Sequence, residues 1–480
     1  MTTRNEDSPA FATIEELGAL LRKRKISPVE LAEMYLRRIE QQNPALNAFL
    51  TVTAEEAIAA ARRAEKQLLR RRGARRENSP LLGIPIALKD NIWTRGIRST
   101  AGSKILRDFV ATEDSTVARK LARAGAVLLG KTNLNEFAYG ITGANDHYGP
   151  VHNPWALDRI TGGSSAGSAA AIAAGLCAAS IGTDTGGSIR VPSAFCGTVG
   201  LKPTFGRVSV FGTMPLSPSL DHIGPMARSV ADAAILLGLI AGRDPLDPTS
   251  SPRPVEDFRA ALEKPLRKFR LGRPREHYWE KLDPEVRRAA EEAVRDMEKR
   301  GAVVSEVSLS HLKESLNGAT DVSLAEALHV HEAAGYFPAL AADYGEEVRQ
   351  RIEYGGKVTA IRYLEAFDVK KRLLAEFDAA FKTVDAIVAP SVPVPAPLIG
   401  AESVRVDGEV MSARPVIVGH ARPANFTGLP AISIPCGFTR DGLPIGLQFI
   451  GRAFQESSLL RIAYSYERAN DRRPRHPGAG

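Results

Sequence analysis

A chain of 480 residues, 44% hydrophobic and 25% charged, has the make-up of an ordinary globular protein and can bury a large core. No apolar run reaches the roughly 20 residues that span a bilayer. The opening MTTRNEDSPAF lacks the apolar stretch of an export signal, so a soluble, cytoplasmic protein is expected, without a membrane partner. Cys177, Cys196 and Cys436 are too scattered for a disulfide framework or a metal cluster, and no metal or other cofactor is expected. The net charge of +8 gathers in LLRRRGARRE (68–77) and RANDRRPRH (468–476). With no recognition motif beside them, these read as solvated basic faces, and no nucleic-acid partner is expected.

Along the chain, Ser27-Pro28-Val29-Glu30 forms a capping box with proline at the first helical position. Thr53 precedes a long amphipathic helix, AEEAIAAARRAEKQLLRRR. The texture then alternates. GIPIALKD (83–90) and AVLLG (126–130) read as strands, with STVARKLARAG (115–125) helical between them. SAAAIAAG (168–175) reads as helix and SIGTD (180–184) as a strand end. Helix 284–300, strand 302–309, helices across 322–382 and strands DAIVAPSV (385–392), AISIP (431–435) and GLQFIG (446–451) follow. Strands alternating with helices predict an α/β layer structure. We read a single domain over 1–480 with a core of about 12–469. It carries a helical arm at 12–75 and a less regular stretch at 243–345.

The chemistry concentrates in TGGSSAGSAAAIAAGLCAASIGTDTGGSIR (161–190), which holds two glycine–serine turns. Glycine pairs allow positive φ and let successive amides face one point. In Asp184-Thr185-Gly186-Gly187-Ser188 the amides end at a hydroxyl, as an acyl-transfer enzyme needs. A serine needs a base. Of nine histidines only His222 is suggestively placed, and it reads better as a structural residue. Lys89 ends the apolar strand GIPIALK on the face of Ala87 and Pro85. Burial would strip such a lysine of its charge and let it accept a proton.

GIPIALKDN (83–91), TGGSSAGSAAAIAAG (161–175), GTDTGGSIRVPSAFCGTVGLKPTFGRVS (182–209) and GLPAISIPCG (428–437) together resemble the amidase signature family, over about residues 12–469. The resemblance implies an α/β fold with a large mixed central sheet flanked by helices on both faces. It implies a Ser–cisSer–Lys triad of Lys89, Ser164 (after a cis bond from Gly163) and Ser188. Ser188 would form an acyl-enzyme, with the backbone amides of Thr185, Gly186, Gly187 and Ser188 as oxyanion hole. Substrate contacts are expected from Tyr139, Gly140, Ile141, Thr142 and Phe195, with His329, His331, Tyr336 and Phe337 as a partly aromatic wall or core. Asp184 and Arg190 would pair to brace the nucleophile turn. Ser165 reads as a helix cap and Cys196 as a small buried residue. Ala166 stands where the family commonly has glycine.

Two other readings compete. Gly163-Ser164-Ser165-Ala166-Gly167 fits the G-x-S-x-G elbow of α/β-hydrolases, but WALDRITG before it is not read as a strand and no histidine follows in context. Within the family, the chain resembles both stand-alone amidases and the glutamine-hydrolysing component of a tRNA-dependent amidotransferase. Holding free glutamine needs a carboxylate for its α-amino group and a cation for its α-carboxylate. ARPVIVGHARPAN (413–425) contains no Asp or Glu. The expectation is therefore a stand-alone amidase, monomeric or homodimeric, acting on small amides. Aryl amides, carbamates (a urethanase) and esters (an esterase) lie within the range that the resemblance implies.

Overall fold

Short β-prone runs are scattered over the whole length of the chain, and pairing them requires long crossovers. The computed structural model describes residues 9–70, 79–264, 268–469 and 476–478. Its strands are β1 (Phe49–Val52), β2 (Pro85–Lys89), β3 (Val127–Thr132), β4 (His152–Asn153) and β5 (Ala156–Ile160). β6 (Ala179–Thr183), β7 (Val199–Lys202), β8 (Ile223–Ala227), β9 (Phe269–Pro274) and β10 (Ala302–Val307) follow. The last are β11 (Ala386–Pro390), β12 (Ser403–Val406), β13 (Glu409–Ser412), β14 (Ala431–Phe438) and β15 (Pro444–Ile450).

Eleven of these strands make one mixed sheet in the order β1-β3-β2-β6-β8-β7-β14-β15-β11-β9-β10. β2 runs parallel to both β3 and β6, while β6–β8, β8–β7 and β14–β15 are antiparallel. β2, β6, β8, β11 and β15 are buried at every position. Strands buried on both faces must be covered on both, which is the work of the helices between them. The expected α/β architecture with a large mixed sheet is what the chain adopts.

The capping box holds: Glu30 N–H donates to Ser27 Oγ at 3.1 Å and Ser27 N–H to Glu30 Oε2 at 2.7 Å. Three expectations need correction. The 12–75 stretch is not purely helical, because Phe49–Val52 leaves it to pair antiparallel with β3 at the sheet edge. WALDRITG does contain a strand, β5, but it pairs only with β4 in a separate two-stranded ribbon. The 243–345 stretch is more regular than its composition suggests, since β9 and β10 pair in parallel and close one edge of the main sheet. Residues 71–78 and 470–475, which hold much of the basic excess, lie outside the described residues. No described helix is long and apolar enough to cross a membrane.

The position of the parallel strands decides where chemistry can occur. In open α/β sheets the crevice lies beyond the strands' carboxyl ends. β2 and β6 are adjacent and parallel, with Leu88 opposite Ile181, so Lys89 and Thr183 emerge side by side. The helix Val230–Ile240 is almost wholly apolar, with Asp232 its one charged residue, and it is buried along nearly its whole length. Leu236 on it is wholly buried, whereas Leu246 is 52% exposed. Leu236→Ala should therefore cost about 2–5 kcal/mol in denaturant unfolding and Leu246→Ala almost nothing; equal midpoints for the two variants would contradict this packing.

Candidate active site

Lys89 is fully buried at the end of β2. Its Nζ lies 2.8 Å from Ser164 Oγ and 2.6 Å from Thr183 Oγ1, two neutral oxygens. Asn91 Nδ2 donates to the same Thr183 oxygen at 3.3 Å. Burial is the main effect on Lys89 and lowers its pKa to about 7, with Asp184 and then Asp221 opposing from a distance. The amine is thus poised to exchange a proton near neutrality.

Ser164 follows a cis peptide bond from Gly163. The turn is closely hemmed in. A Cβ on Gly163 would stand 2.1 Å from Asn135 Oδ1, and one on Gly140 would stand 2.2 Å from Asn135 Nδ2. Asn135 donates to Ala144 O at 2.7 Å and accepts from Gly143 N–H at 3.1 Å, which fixes the 139–144 loop against the turn. The next residue, Ser165, does not cap the helix Ala166–Ala173 as expected. Its Oγ donates to Thr183 O at 3.1 Å, deep in the fold, while its amide donates to Ser188 O at 3.1 Å. A hydroxyl held this way is not an exposed elbow nucleophile.

The Asp184–Ser188 loop is organised by one carboxylate. Asp184 accepts from Gly187 N–H (2.7 Å), Ile189 N–H (3.1 Å), Arg190 Nε (3.1 Å) and Asn425 Nδ2 (2.8 Å). Burial opposes its charge, but Arg190, Lys202 and Asn425 together hold it well below the usual carboxylate range. The expected Asp184–Arg190 pair therefore exists, both members buried. The role expected for the Gly187 amide needs correction, because that N–H is spent on Asp184. Gly187 itself has φ 120°, and a Cβ there would stand 2.5 Å from Ala421 Cβ. The oxyanion-hole candidates that face the open space are Thr185, Gly186 and Ser188. Thr185 is anchored in turn, its hydroxyl donating to Asp221, which also accepts from Leu216 N–H and Ser217 N–H. Burial pushes Asp221 up to about 6.

A cleft opens over this loop, lined by Tyr139, Gly140 and Ile141 on one side and Thr185, Gly186 and Ser188 on another. Leu216, Leu220, Ala319, Ser323, Val418 and three arginines, Arg351, Arg414 and Arg422, complete it. Thr142 and Phe195 lie elsewhere. Phe195 is wholly buried in a second apolar cluster, and Thr142 turns its Oγ1 to Ala144 N–H. His331 is core, with Nδ1 2.8 Å from Tyr344 Oη and its ring edge-on to Phe137; Tyr336 and Phe337 pack on the same cluster, and His329 is exposed. His222 is buried against Leu220 O and Phe205, and burial keeps it neutral. Cys196 is buried, its Sγ 3.6 Å from Thr161 O. Among the described residues no group of three or more His, Cys, Asp or Glu could hold a metal ion. The sequence gives no direct sign of Thr183, Asn91, Asp221 or Arg351. Arg414, Arg422 and Asn425 lie in the 413–425 segment that bears on glutamine recognition, where the missing acids and not the cations are what the sequence reading weighs.

The profile of the amidase family matches residues 30–460. The A subunit of glutamyl-tRNA(Gln) amidotransferase from Koribacter versatilis is 42% identical over 95% of this chain and 98% of its own length. The Roseiflexus sp. protein of the same name is 43% identical over 97% and 98%. Among solved structures, a chain from a vestigial protein complex that bears on the origins of an s-triazine catabolic enzyme superposes with a TM-score of 0.91. It is 33% identical over 97% of this chain and 100% of that one. The peptide amidase in complex with chymostatin superposes at 0.83, with 33% identity and 97% and 99% coverage. This chain belongs to the amidase family.

Proposed function

We propose that the chain is a stand-alone amidase that opens a linear carbon–nitrogen amide bond through an acyl-enzyme on Ser188. The observation that carries this reading is the Lys89 amine, buried and hydrogen-bonded to Ser164, beneath a cleft that opens on Ser188. A neutral amine has a lone pair, so the 2.8 Å contact can equally run from the Ser164 hydroxyl to Nζ. Ser188 Oγ then attacks the carbonyl carbon as its proton passes to Ser164 and Ser164's own moves to Lys89. The amides of Thr185, Gly186 and Ser188 receive the developing oxyanion. The relay reverses to protonate the departing amine, and water releases the acid by the same path. Carbamates and aryl esters present the same carbonyl geometry and fall within the same chemistry.

The relatives named as amidotransferase subunits support a second reading, glutamine hydrolysis in partnership with other chains. Free glutamine brings an α-ammonium that needs an acid. Among the described residues lining the cleft none is acidic, and Val418 lies where the 413–425 segment faces the loop. This favours the stand-alone reading.

Ser188→Ala should abolish amide hydrolysis, and a fluorophosphonate should label Ser188; labelling at Ser165 would reinstate the elbow reading. The purified chain should turn over simple amides and hydrolyse glutamine poorly. Efficient glutaminase activity that appears only with added partner chains would overturn the stand-alone assignment.

The lysine sets the pH dependence. A base works when neutral, so acylation should rise with pH through about 7 and level off above it. Lys89→Arg should be inactive because arginine stays charged. Lys89→Ala should slow amides more than aryl esters, whose leaving groups depart with less protonation. An unchanged amide-to-ester ratio in stopped-flow acylation would show that Lys89 does not return the proton.

A further inference from the structure

The cationic wall of the cleft is not used by the chemistry proposed above. Arg414 is answered by Glu347, with which it forms an ion pair. Arg351 stacks 3.5 Å from the Tyr139 ring and donates to Tyr139 O at 2.7 Å. Arg422, from the short helix Arg422–Phe426, donates to the Thr320 hydroxyl. Among the described residues neither Arg351 nor Arg422 makes an ion pair; Arg351 meets Glu347 only at longer range. Burial, then Arg351's charge, pulls Arg422 down to about 10. Two guanidiniums therefore face a cleft with no carboxylate among its described lining residues, and the nearby Glu347 is committed to a third arginine, Arg414. Arg351 and Arg422 are both half-buried; unmatched charge held partly out of water is costly, and a ligand that carries a counter-ion offsets that cost.

Arg422 also stands close to the reacting loop. A Cβ placed on Gly186 would lie 3.6 Å from Arg422 Nε and 3.6 Å from Val418 Cγ2. The loop thus faces a cation and an aliphatic group side by side. The cleft is half-open and small, about 40 Å³, room for about three waters, each needing ~10–15 Å³. During turnover the acyl group stays in this space while the amine leaves and water enters.

We propose that Arg422, together with Arg351, forms an anion subsite, and that the acyl group taken by this chain carries a carboxylate and no amine: the substrate is a monoamide of a short dicarboxylic acid. The inference rests on the acyl-enzyme reading of Ser188. The two oxygens of the distal carboxylate accept from the guanidiniums, and the aliphatic chain lies against Val418 and Leu220. Arg422 is the specificity-determining residue, since it brings a second cation against the loop where an amine-recognising site would need an acid.

The test uses the full chain and succinamate, its methyl ester and butyramide as matched substrates, with kcat/KM for each. Succinamate should exceed both neutral amides on the order of 10- to 100-fold, the scale of charge-assisted hydrogen bonds. Independently, free succinate should slow fluorophosphonate labelling of Ser188. In Arg422→Gln that protection should vanish and the succinamate-to-butyramide ratio should fall towards one, and Arg422→Lys should retain part of both. Labelling of Ser188 in each variant shows that the site is assembled. If Ser188 is labelled and butyramide is hydrolysed as fast as succinamate, or if succinate protects Arg422→Gln as well as wild type, the anion subsite is wrong and the amidase reading stands. If Ser188 is neither labelled nor required for turnover, both fall.

Discussion

The arrangement turns on one buried amine. Lys89 has no accessible surface, and both groups that touch its Nζ are hydroxyls rather than carboxylates. A carboxylate in contact would restore the charge and, in the acyl-enzyme reading, deny the amine its role as base; two hydroxyls satisfy a neutral amine without doing so. The nearby acids act from further away, Asp184 committed to Arg190 and Asp221 to Thr185. The glycines around Ser164 follow from this constraint. A hydroxyl can meet a strand-end amine only if the turn carrying it comes in close, and Asn135 closes the space that Gly140 and Gly163 leave open.

The Asp184 network is the counterpart of that amine. It is a buried ion pair, whose net energy is small once desolvation is subtracted. Its value is geometric. One carboxylate accepts from two loop amides, from Arg190 and from Asn425, and Asn425 also donates to Asp184 O at 2.8 Å. The loop between the end of β6 and the helix Arg190–Cys196 is thereby held from three directions. The same bonds turn the Gly187 amide away from the cleft and leave its neighbours free. A loop fixed before any substrate arrives costs no reorganisation when charge develops on it.

Much of this is legible locally. β2, β3, β6, β14 and β15 are apolar runs bounded by turn residues, and each lies where the pattern puts it, within a few positions. What escapes has identifiable causes. β8 is IGPMA, and a proline inside a run argues against a central strand, yet it pairs between β6 and β7. The helix Val230–Ile240 is apolar nearly all round and shows no amphipathic period. β1 is four residues between two long helices. In the site, the glycine-rich turn before Ser188 and the apolar strand ending at Lys89 draw notice in sequence, while Ser164 and the grouping of the three come from the family resemblance. Thr183 and Asp221 draw none, since a threonine ending a strand and an aspartate in a loop are ordinary until the sheet brings them to the amine. Arg422 lies in the 413–425 segment, but its meeting with Arg351 is invisible for a further reason: the two come from separate helices and meet only across the cleft.

That division separates reaction from selectivity. In the acyl-enzyme reading, the residues around the carbonyl lie between Lys89 and Ser188, on a rigid sheet and the turns that leave it. The residues facing the rest of the substrate come from the 139–141 loop, the helix Glu346–Gly355 and the 413–426 stretch. A single exchange between an aliphatic and an acidic side chain in that wall changes which charge the cleft accepts and scarcely alters overall identity or the backbone path. The 42% identity with an amidotransferase component over nearly the whole chain is therefore compatible with a different substrate. In the proposed reading, the shared part holds a carbonyl and moves a proton, and the wall decides which molecule presents that carbonyl. In that reading the wall offers cations and carbon, and an ammonium group would meet no acid among the described lining residues.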